Sequence, residues 1–460
     1  MKEVNDLKLL LSRASILLFF ALLMVFGLFI FTARYMSNAS TWVHYPTNQH
    51  LYAEGKLLSC GTIYDRRGSV LCQVEGGELK FHADREVRTA VMHATGDLYD
   101  NVMTGARVAF RDQLSGWNII NGVYSFRKQG KAGKDLTLNL DAGLCAVAYG
   151  ELGGRKGAVG VYNYQTGEIL CMVSSPSFDP ENPPDVEANP EKYQGVYINR
   201  LLSAVYTPGS VFKLVTAAAA IECLDNIEHA VYHCEGGLQV GGDEVTCHTI
   251  HGPVGLEEAL ACSCNVAFAQ ITSELGAGKL QKFADAAGFN TSLEVDGIKT
   301  AVGRFDVSDA VGADLAWSGI GQYTNTANPL NIMAYMGAIA NDGVCITPRI
   351  VKGKRIFPLK NLSAVGKKRM LSSETARKLG GMMRNNTISE YGEDNFRGLE
   401  LCAKSGTAEV GGDEKPHAWF AGFLDREDYP LAFVVVIENG GSGASVAGPV
   451  AANVLQVAVQ

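Results

Sequence analysis

The sequence predicts an α+β protein with a single N-terminal transmembrane helix, a small β-rich N-terminal domain, and a larger domain in which helices flank an antiparallel sheet. Three observations carry this. Residues 14–33 hold no charged side chain and are almost wholly apolar. From there to about residue 150 the chain alternates short strand-like runs with polar turns. Beyond that point, strand-like segments stand at both ends of a helix-rich middle.

The charge-free run is 20 residues long, enough for a helix to cross about 30 Å of hydrocarbon. Arg13 and Arg34 bound it. A buried core helix would carry a polar stripe, and a cleavable signal would have an apolar stretch of only about 7–15 residues. The run therefore reads as an uncleaved anchor. Lys2, Lys8 and Arg13 precede it, which puts residues 1–13 in the cytoplasm and the remainder outside the cell membrane. No second long apolar run follows, so a single pass is expected.

Residues 34–150 are expected to form a pedestal domain. A stalk reaches to about residue 60, Gly61-Thr62-Ile63-Tyr64-Asp65-Arg66-Arg67-Gly68 runs from strand into turn, and residues 135–140 alternate as a strand. A helix over 142–152 leads into a third unit, 151–460. This opens with a hairpin, 158–162 and 168–173, around Gln165-Thr166-Gly167. Helices are expected over 211–223 and 329–340. Strands over 401–410, 417–424 and 431–438 follow closely enough for antiparallel pairing, and a helix over 446–459 ends the chain.

Of the 460 residues, 47% are hydrophobic and 19% charged, a globular composition. The net charge of −8 argues against nucleic acid, whose phosphates need a basic face. Eleven scattered cysteines, an odd number, read as mostly free thiols packed as small hydrophobes, which suggests a reducing habitat.

The chemistry concentrates in three places. Thr207-Pro208-Gly209-Ser210-Val211-Phe212-Lys213 precedes an alanine-rich helical run, so Ser210 is expected in the first helical turn with Lys213 on the same face. A serine hydroxyl needs a base to become a nucleophile, and a lysine can be that base if its pKa is lowered. Ser-x-x-Lys alone is a weak signal; a second copy, Ser125-Phe126-Arg127-Lys128, has no helix start and no partner motifs. Ser263-Cys264-Asn265 follows 53 residues after Ser210, and Lys404-Ser405-Gly406-Thr407 comes 141 residues later in an expected strand. There Lys404 and Gly406 share a face, and the glycine is expected to leave room for a substrate backbone along the strand.

Ser-x-x-Lys, Ser-x-Asn and Lys-Ser/Thr-Gly in this order resemble the signature of penicillin-binding proteins and serine β-lactamases. The likeness runs from about Gly61 to the C-terminus and is closest to class B penicillin-binding proteins. Asn199-Arg200, His251-Gly252, Gly319-Ile320-Gly321-Gln322, Ala340-Asn341-Asp342-Gly343 and His417-Ala418-Trp419-Phe420 also fit, while Arg67 stands where asparagine is usual. The resemblance implies a peptidoglycan D,D-transpeptidase that cross-links stem peptides through an acyl-enzyme and is inhibited by β-lactams. It implies Ser210 as nucleophile, Lys213 as base, Ser263 as proton relay and Asn265 as a holder of Lys213 and the substrate amide. Lys404 would add positive potential, Ser405 and Thr407 would bind the substrate carboxylate beside Gly406, and the N–H groups of Ser210 and Thr407 would form the oxyanion hole. It further implies a glycan polymerase of the SEDS family as membrane partner. A D,D-carboxypeptidase shares the acyl-enzyme and stays open; a β-lactamase, or a non-catalytic β-lactam-binding sensor or scaffold, fits the anchor and the intact motifs less well.

Other signals are weaker. Gly130-Lys131-Ala132-Gly133-Lys134 lacks the remaining residues of a phosphate loop. Ser442 lacks the glycine pattern of a nucleophile elbow, and His417 reads as structural. Cys234, Cys247, His248 and His251 flank an expected hairpin, but their spacing matches no standard zinc finger. Zinc, a disulfide and packed thiols stay open there; packed thiols are the reading taken, with no cofactor expected.

Overall fold

The first helix runs well past the apolar stretch. In the computed structural model, which describes residues 2–45, 48, 51–53, 56–57, 60–117, 133–353 and 366–460, helix α1 spans Lys2–Val43. The sequence reading ended it at Ala33 and expected a stalk. No proline occurs before Pro46, so nothing interrupts the hydrogen-bond ladder once it is running. Among the described residues α1 is the one helix long and apolar enough to cross a membrane. The second Ser-x-x-Lys, Ser125 to Lys128, and residues 130–132 lie outside the described residues.

Two compact units share the chain. The first comprises Met1–Thr62, Gln73–Leu79 and Phe110–Asp135; the second comprises Ile63–Cys72, Lys80–Ala109 and Leu136–Gln460. In the first, polar contacts tie down the end of α1: Ser40 donates to Asp112, Arg111 Nη2 donates to Thr41 Oγ1 at 2.9 Å, and His44 Nε2 meets Ser115 Oγ at 2.9 Å. In the second, Ile63 and Tyr64 pair antiparallel with Cys72 and Val70, and parallel with Leu136 and Thr137. Asp65 closes the intervening turn by accepting the N–H groups of Arg67 at 2.9 Å and Ser69 at 2.7 Å. Two short helices, Arg85–Ala90 and Met92–Thr95, follow, and the sequence reading had not placed them.

The larger part of this second unit is built on one sheet. Helix α2 (Ala142–Leu152) starts at Asp141, whose carboxylate accepts the Leu144 N–H, and stops at left-handed Gly153. Strands β1 (Gly157–Asn163) and β2 (Ile169–Ser175) form a hairpin. Then come α3 (Lys213–Cys223) and four short strands: β3 (Tyr232–Cys234), β4 (Gly237–Val240), β5 (Asp243–Thr246) and β6 (Gly252–Val254). Helices α4 (Asn265–Leu275), α5 (Pro329–Ala340) and α6 (Ser373–Asn386) precede the last strands, β7 (Leu401–Ala408), β8 (His417–Leu424) and β9 (Leu431–Ile437). Helix α7 (Gly448–Ala458) follows a turn over Gly443–Ala447, so it begins two residues later than its sequence pattern suggested.

The sheet order is β7-β8-β9-β1-β2, antiparallel throughout. Strands distant in sequence meet at its centre, where β9 pairs with β1 from Leu431↔Asn163 to Ile437↔Gly157. Strand β9 is apolar and buried at every position, which requires cover on both faces. Helix α5 lies against β9, β8 and β1, while α2 and α7 pack on each other and on the sheet. Gly337 permits the closest approach of α5: a Cβ there would sit 1.7 Å from the Tyr162 hydroxyl oxygen.

Candidate active site

Ser210 does not lie in an α-helical turn. It sits in a 3-10 turn, Gly209–Phe212, and α3 begins at Lys213. The tighter winding still serves the expected geometry, because residues i and i+3 eclipse on a 3-10 helix. The turn is wedged against β7. Gly209 has φ +54, and a Cβ there would lie 2.9 Å from Thr407 O and 3.0 Å from Ala408. Trp419 Nε1 donates to Thr207 O at 2.9 Å, and the Gly209 N–H donates to Gly321 O at 3.0 Å. Behind the turn, Phe212 stacks on Phe305 and meets Phe289 edge-on, both at 4.9 Å.

Lys213 and Lys404 are fully buried, whereas Ser210 is half-buried. Lys213 Nζ donates to Ser263 O at 2.6 Å, Ser263 Oγ at 3.1 Å and Asn265 Oδ1 at 2.8 Å. Those three acceptors use the three N–H bonds of an ammonium. Lys404 Nζ donates to the same Ser263 Oγ at 3.1 Å and to Ser405 O at 3.1 Å. One hydroxyl thus bridges two lysines. Burial pulls Lys213 down to about 8. Burial, and then the positive charge of Lys213, pull Lys404 down to about 7. Two adjacent buried cations repel, so neutralising one of them relieves the site near neutral pH. Ser263 is held at φ +56, a conformation that costs a non-glycine residue energy and recurs at functional sites.

Strand β7 forms the sheet edge, and the protein caps part of that edge itself. Arg384 Nη1 donates to Leu401 O at 3.2 Å, and Asn386 Nδ2 donates to Ala403 O at 3.1 Å. The Ser405 N–H donates to the Tyr391 hydroxyl at 2.8 Å, and that hydroxyl donates to Ser405 Oγ at 3.1 Å. Outward-facing backbone alternates along an antiparallel edge, so Thr407 is the next residue to present its N–H outward. Gly406 plays a different part from the one expected. A Cβ there would lie 2.9 Å from Val211 Cγ2 and 3.0 Å from Pro208 O, so the glycine makes room for the protein's own turn and not for a substrate backbone.

Arg200 Nε and the Tyr206 hydroxyl both donate to Glu438 Oε1 at 2.7 Å, anchoring the segment before the turn to the end of β9. His417 Nδ1 accepts the Asn439 N–H at 3.1 Å, and its ring meets Tyr206 edge-on.

The cysteine reading needs one addition. No disulfide joins cysteines among the described residues. Cys234, Cys247 and His251 do converge, and the fourth member is Cys264 of Ser263-Cys264-Asn265, not His248. The sequence reading missed Tyr391, Asn386, Arg384 and Cys264. The first three carry no motif, while Cys264 sat inside one that had already been assigned.

Comparison with known proteins agrees with this geometry. Residues 157–456 match the family described as the penicillin binding protein transpeptidase domain. The peptidoglycan D,D-transpeptidase PbpA of Mycobacterium tuberculosis is 31% identical over 361 residues, covering 71% of this chain and 72% of that protein. Stage V sporulation protein D of Bacillus subtilis is 29% identical over 355 residues, 71% of this chain and 53% of its own. The penicillin G acyl-enzyme complex of M. tuberculosis penicillin-binding protein A superposes with a TM-score of 0.73 at 26% identity, over 87% of this chain and all of that one. On sequence and fold together, the chain belongs to the penicillin-binding protein transpeptidase family, as a class B member.

Proposed function

We propose that this protein is a peptidoglycan D,D-transpeptidase in which Ser210 carries the acyl group, inhibited by β-lactams. The observation that supports it best is the Ser263 hydroxyl between two buried lysines, one of which, Lys213, directly follows the turn that bears Ser210. Neutral Lys213 takes the Ser210 proton as the oxygen attacks the penultimate D-alanine carbonyl of a stem peptide. The proton passes through Ser263 to the amine of the terminal D-alanine, which leaves as the peptide bond breaks. An amine from a neighbouring stem peptide then attacks the Ser210 ester, forms the cross-link and returns the hydroxyl. Asn265 orients Lys213, the N–H groups of Ser210 and Thr407 hold the oxyanion, and Ser405 and Thr407 receive the substrate carboxylate with Lys404 near. We also take residues 151–460 as the catalytic domain and 34–150 as its pedestal. Residues 14–33 anchor the chain in the cell membrane, with the catalytic domain on the extracytoplasmic side and a SEDS-family glycan polymerase beside it.

Intact-mass measurement after incubation with benzylpenicillin tests the acyl-enzyme. One drug molecule is expected on the parent and none on Ser210→Ala; an adduct on Ser210→Ala would displace the nucleophile elsewhere. A donor stem peptide supplied with and without an acceptor amine separates cross-linking from carboxypeptidase action, because the first yields a dimer and the second merely a shortened peptide.

A further inference from the structure

Three sulfurs and one ring nitrogen meet directly behind the Ser263-Cys264-Asn265 segment. Cys234 ends β3, Cys247 follows β5, His251 precedes β6, and Cys264 is the N-cap of α4. Pairing brings them together. Strands β4 and β5 close a hairpin from Gly237↔Thr246 to Val240↔Asp243, which returns Cys247 towards Cys234. The pair Cys234↔Gly252 in β3 and β6 sets His251 alongside.

The four ligand atoms all lie within 4.8 Å of one another. Cys234 Sγ and Cys247 Sγ are each 3.5 Å from His251 Nδ1, and Cys247 Sγ is 4.0 Å from Cys264 Sγ. Zinc bonds of about 2.3 Å to sulfur and about 2.0 Å to nitrogen, in a tetrahedron, require S···S edges of about 3.8 Å and S···N edges of about 3.5 Å. The three edges of 3.5, 3.5 and 4.0 Å are close to these. A disulfide would need two sulfurs about 2.0 Å apart and would leave the other two groups without a purpose.

The surroundings suit thiolates. The Asn265 N–H donates to Cys247 Sγ at 3.3 Å, and the Ala267 N–H donates to Cys264 Sγ at 3.3 Å. Such N–H···S bonds disperse the negative charge of metal-bound sulfur. Cys234 and Cys264 are buried, while Cys247 and His251 are half-buried, which leaves a path for an ion.

We propose that Cys234, Cys247, His251 and Cys264 bind one zinc ion, and that this centre holds Ser263 and Asn265 in register with Lys213. Binding releases the three thiol protons to solvent, including the Cys234 proton now shared with Thr249 O at 3.7 Å. All four positions are filled by the protein, so the ion is structural and takes no part in acyl transfer. Its mechanical role follows from connectivity. Asn265 Nδ2 donates to Thr246 O at 3.0 Å, one residue from Cys247, while Asn265 Oδ1 accepts from Lys213. A metal bridging Cys247 to Cys264 therefore locks the hairpin end to the start of α4. The positioning half of this proposal rests on the transpeptidase reading; the metal half does not.

The test uses the full-length chain in detergent, purified reduced and without chelator. One equivalent of zinc per chain is expected, lost in Cys234→Ser and in His251→Ala and kept in Cys223→Ser, which lies outside the cluster. Because a ligand variant can misfold, cobalt(II) replacement in the parent provides a second readout: thiolate-to-cobalt charge transfer with the intense visible bands of a tetrahedral ion. Stripping the zinc should slow benzylpenicillin acylation by about 10-fold or more, and added zinc should restore it. Less than about a tenth of an equivalent of metal, before and after reconstitution, overturns the site. So does a Cys234–Cys247 disulfide in the reduced protein, or unchanged metal content in both ligand variants. Bound zinc with acylation unaffected by its removal overturns the positioning role. Bound zinc in a protein that never accepts benzylpenicillin refutes the transpeptidase reading and leaves the metal site standing.

Discussion

The two buried lysines share one hydroxyl, and on the proposed mechanism the protonation of Lys213 sets the rate at which Ser210 reacts. Lys213 acts as a base only when neutral, and burial brings its pKa down to about 8. Acylation by benzylpenicillin should therefore climb as pH rises towards about 8 and then level off. Lys213→Ala should cut the rate by ~10²-fold or more and remove the pH step. A rate that stays flat from about pH 6 to 9 in the parent would exclude Lys213 as the base. His93 titrates for a structural reason. It is fully buried, its Nε2 donates to Val196 O at 2.7 Å, and Nδ1 has no partner among the described residues. Burial lowers its pKa from 6.5 to about 4. Above pH 6.5 both folded and unfolded states are neutral, so stability is unaffected there. As pH falls from 6.5 towards 4, the unfolded chain alone takes up the proton, and stability should drop by about 3 kcal/mol. Urea melts across that window should show the loss, and His93→Gln should flatten it.

Elements succeed here by closing off alternatives. Strand β7 would be an open edge, yet Arg384, Asn386 and Tyr391 occupy the Leu401 and Ala403 carbonyls and the Ser405 N–H. On the transpeptidase reading, an extended ligand would pair with the stretch from Thr407 onwards. Tyr391→Phe removes the acceptor of the half-buried Ser405 N–H, a net loss of about 1 kcal/mol. Thermal melting should register that loss, and acylation should slow because Ser405 loses its orientation; unchanged melting and acylation would show that Tyr391 is dispensable. Gly406→Ala tests the contact beneath the nucleophile. The methyl must displace Val211 or the Pro208 carbonyl, so acylation should fall steeply even in a variant that still folds. Both effects belong to packing between elements. The Lys-Ser-Gly-Thr motif marked the strand without disclosing that its glycine serves the neighbouring turn.

Across the whole molecule, contacts between distant segments hold the site in place. Arg200 precedes the nucleophile turn and Glu438 follows β9, and their ion pair has side chains only 6% and 22% exposed. Glu438→Gln leaves the Arg200 charge uncompensated and should destabilise the protein by about 3–5 kcal/mol. Paired replacement, Arg200→Met with Glu438→Leu, should cost less than that single change, read by denaturant unfolding; equal or greater loss would mean the pair is needed for more than charge balance. The membrane partner can be tested at this scale too. Replacing residues 14–33 with an unrelated apolar helix should reduce co-purification of a SEDS-family polymerase from membranes, and undiminished recovery would remove the anchor from that contact.

The sequence by itself determined the long apolar N-terminal helix, the opening hairpin and last three strands of the large sheet, and the three motifs, because each is written in local periodicity or in short spacings. Residues 142–152, 329–340 and 417–424 form the elements their patterns predict, since caps, apolar faces and breakers act within a few residues. The tertiary structure alone decided what those elements bring together. It set Ser210 in a 3-10 turn, because the approach of β7 at Thr407 and of Gly321 constrains Gly209. It recruited Tyr391 and Asn386 to cap the edge of β7, and it joined Cys264 to Cys234, Cys247 and His251. The physical reason is the same in each case. Hydrogen-bond partners and metal ligands are chosen by proximity after folding, and proximity between residues tens or hundreds of positions apart leaves no local trace in the chain.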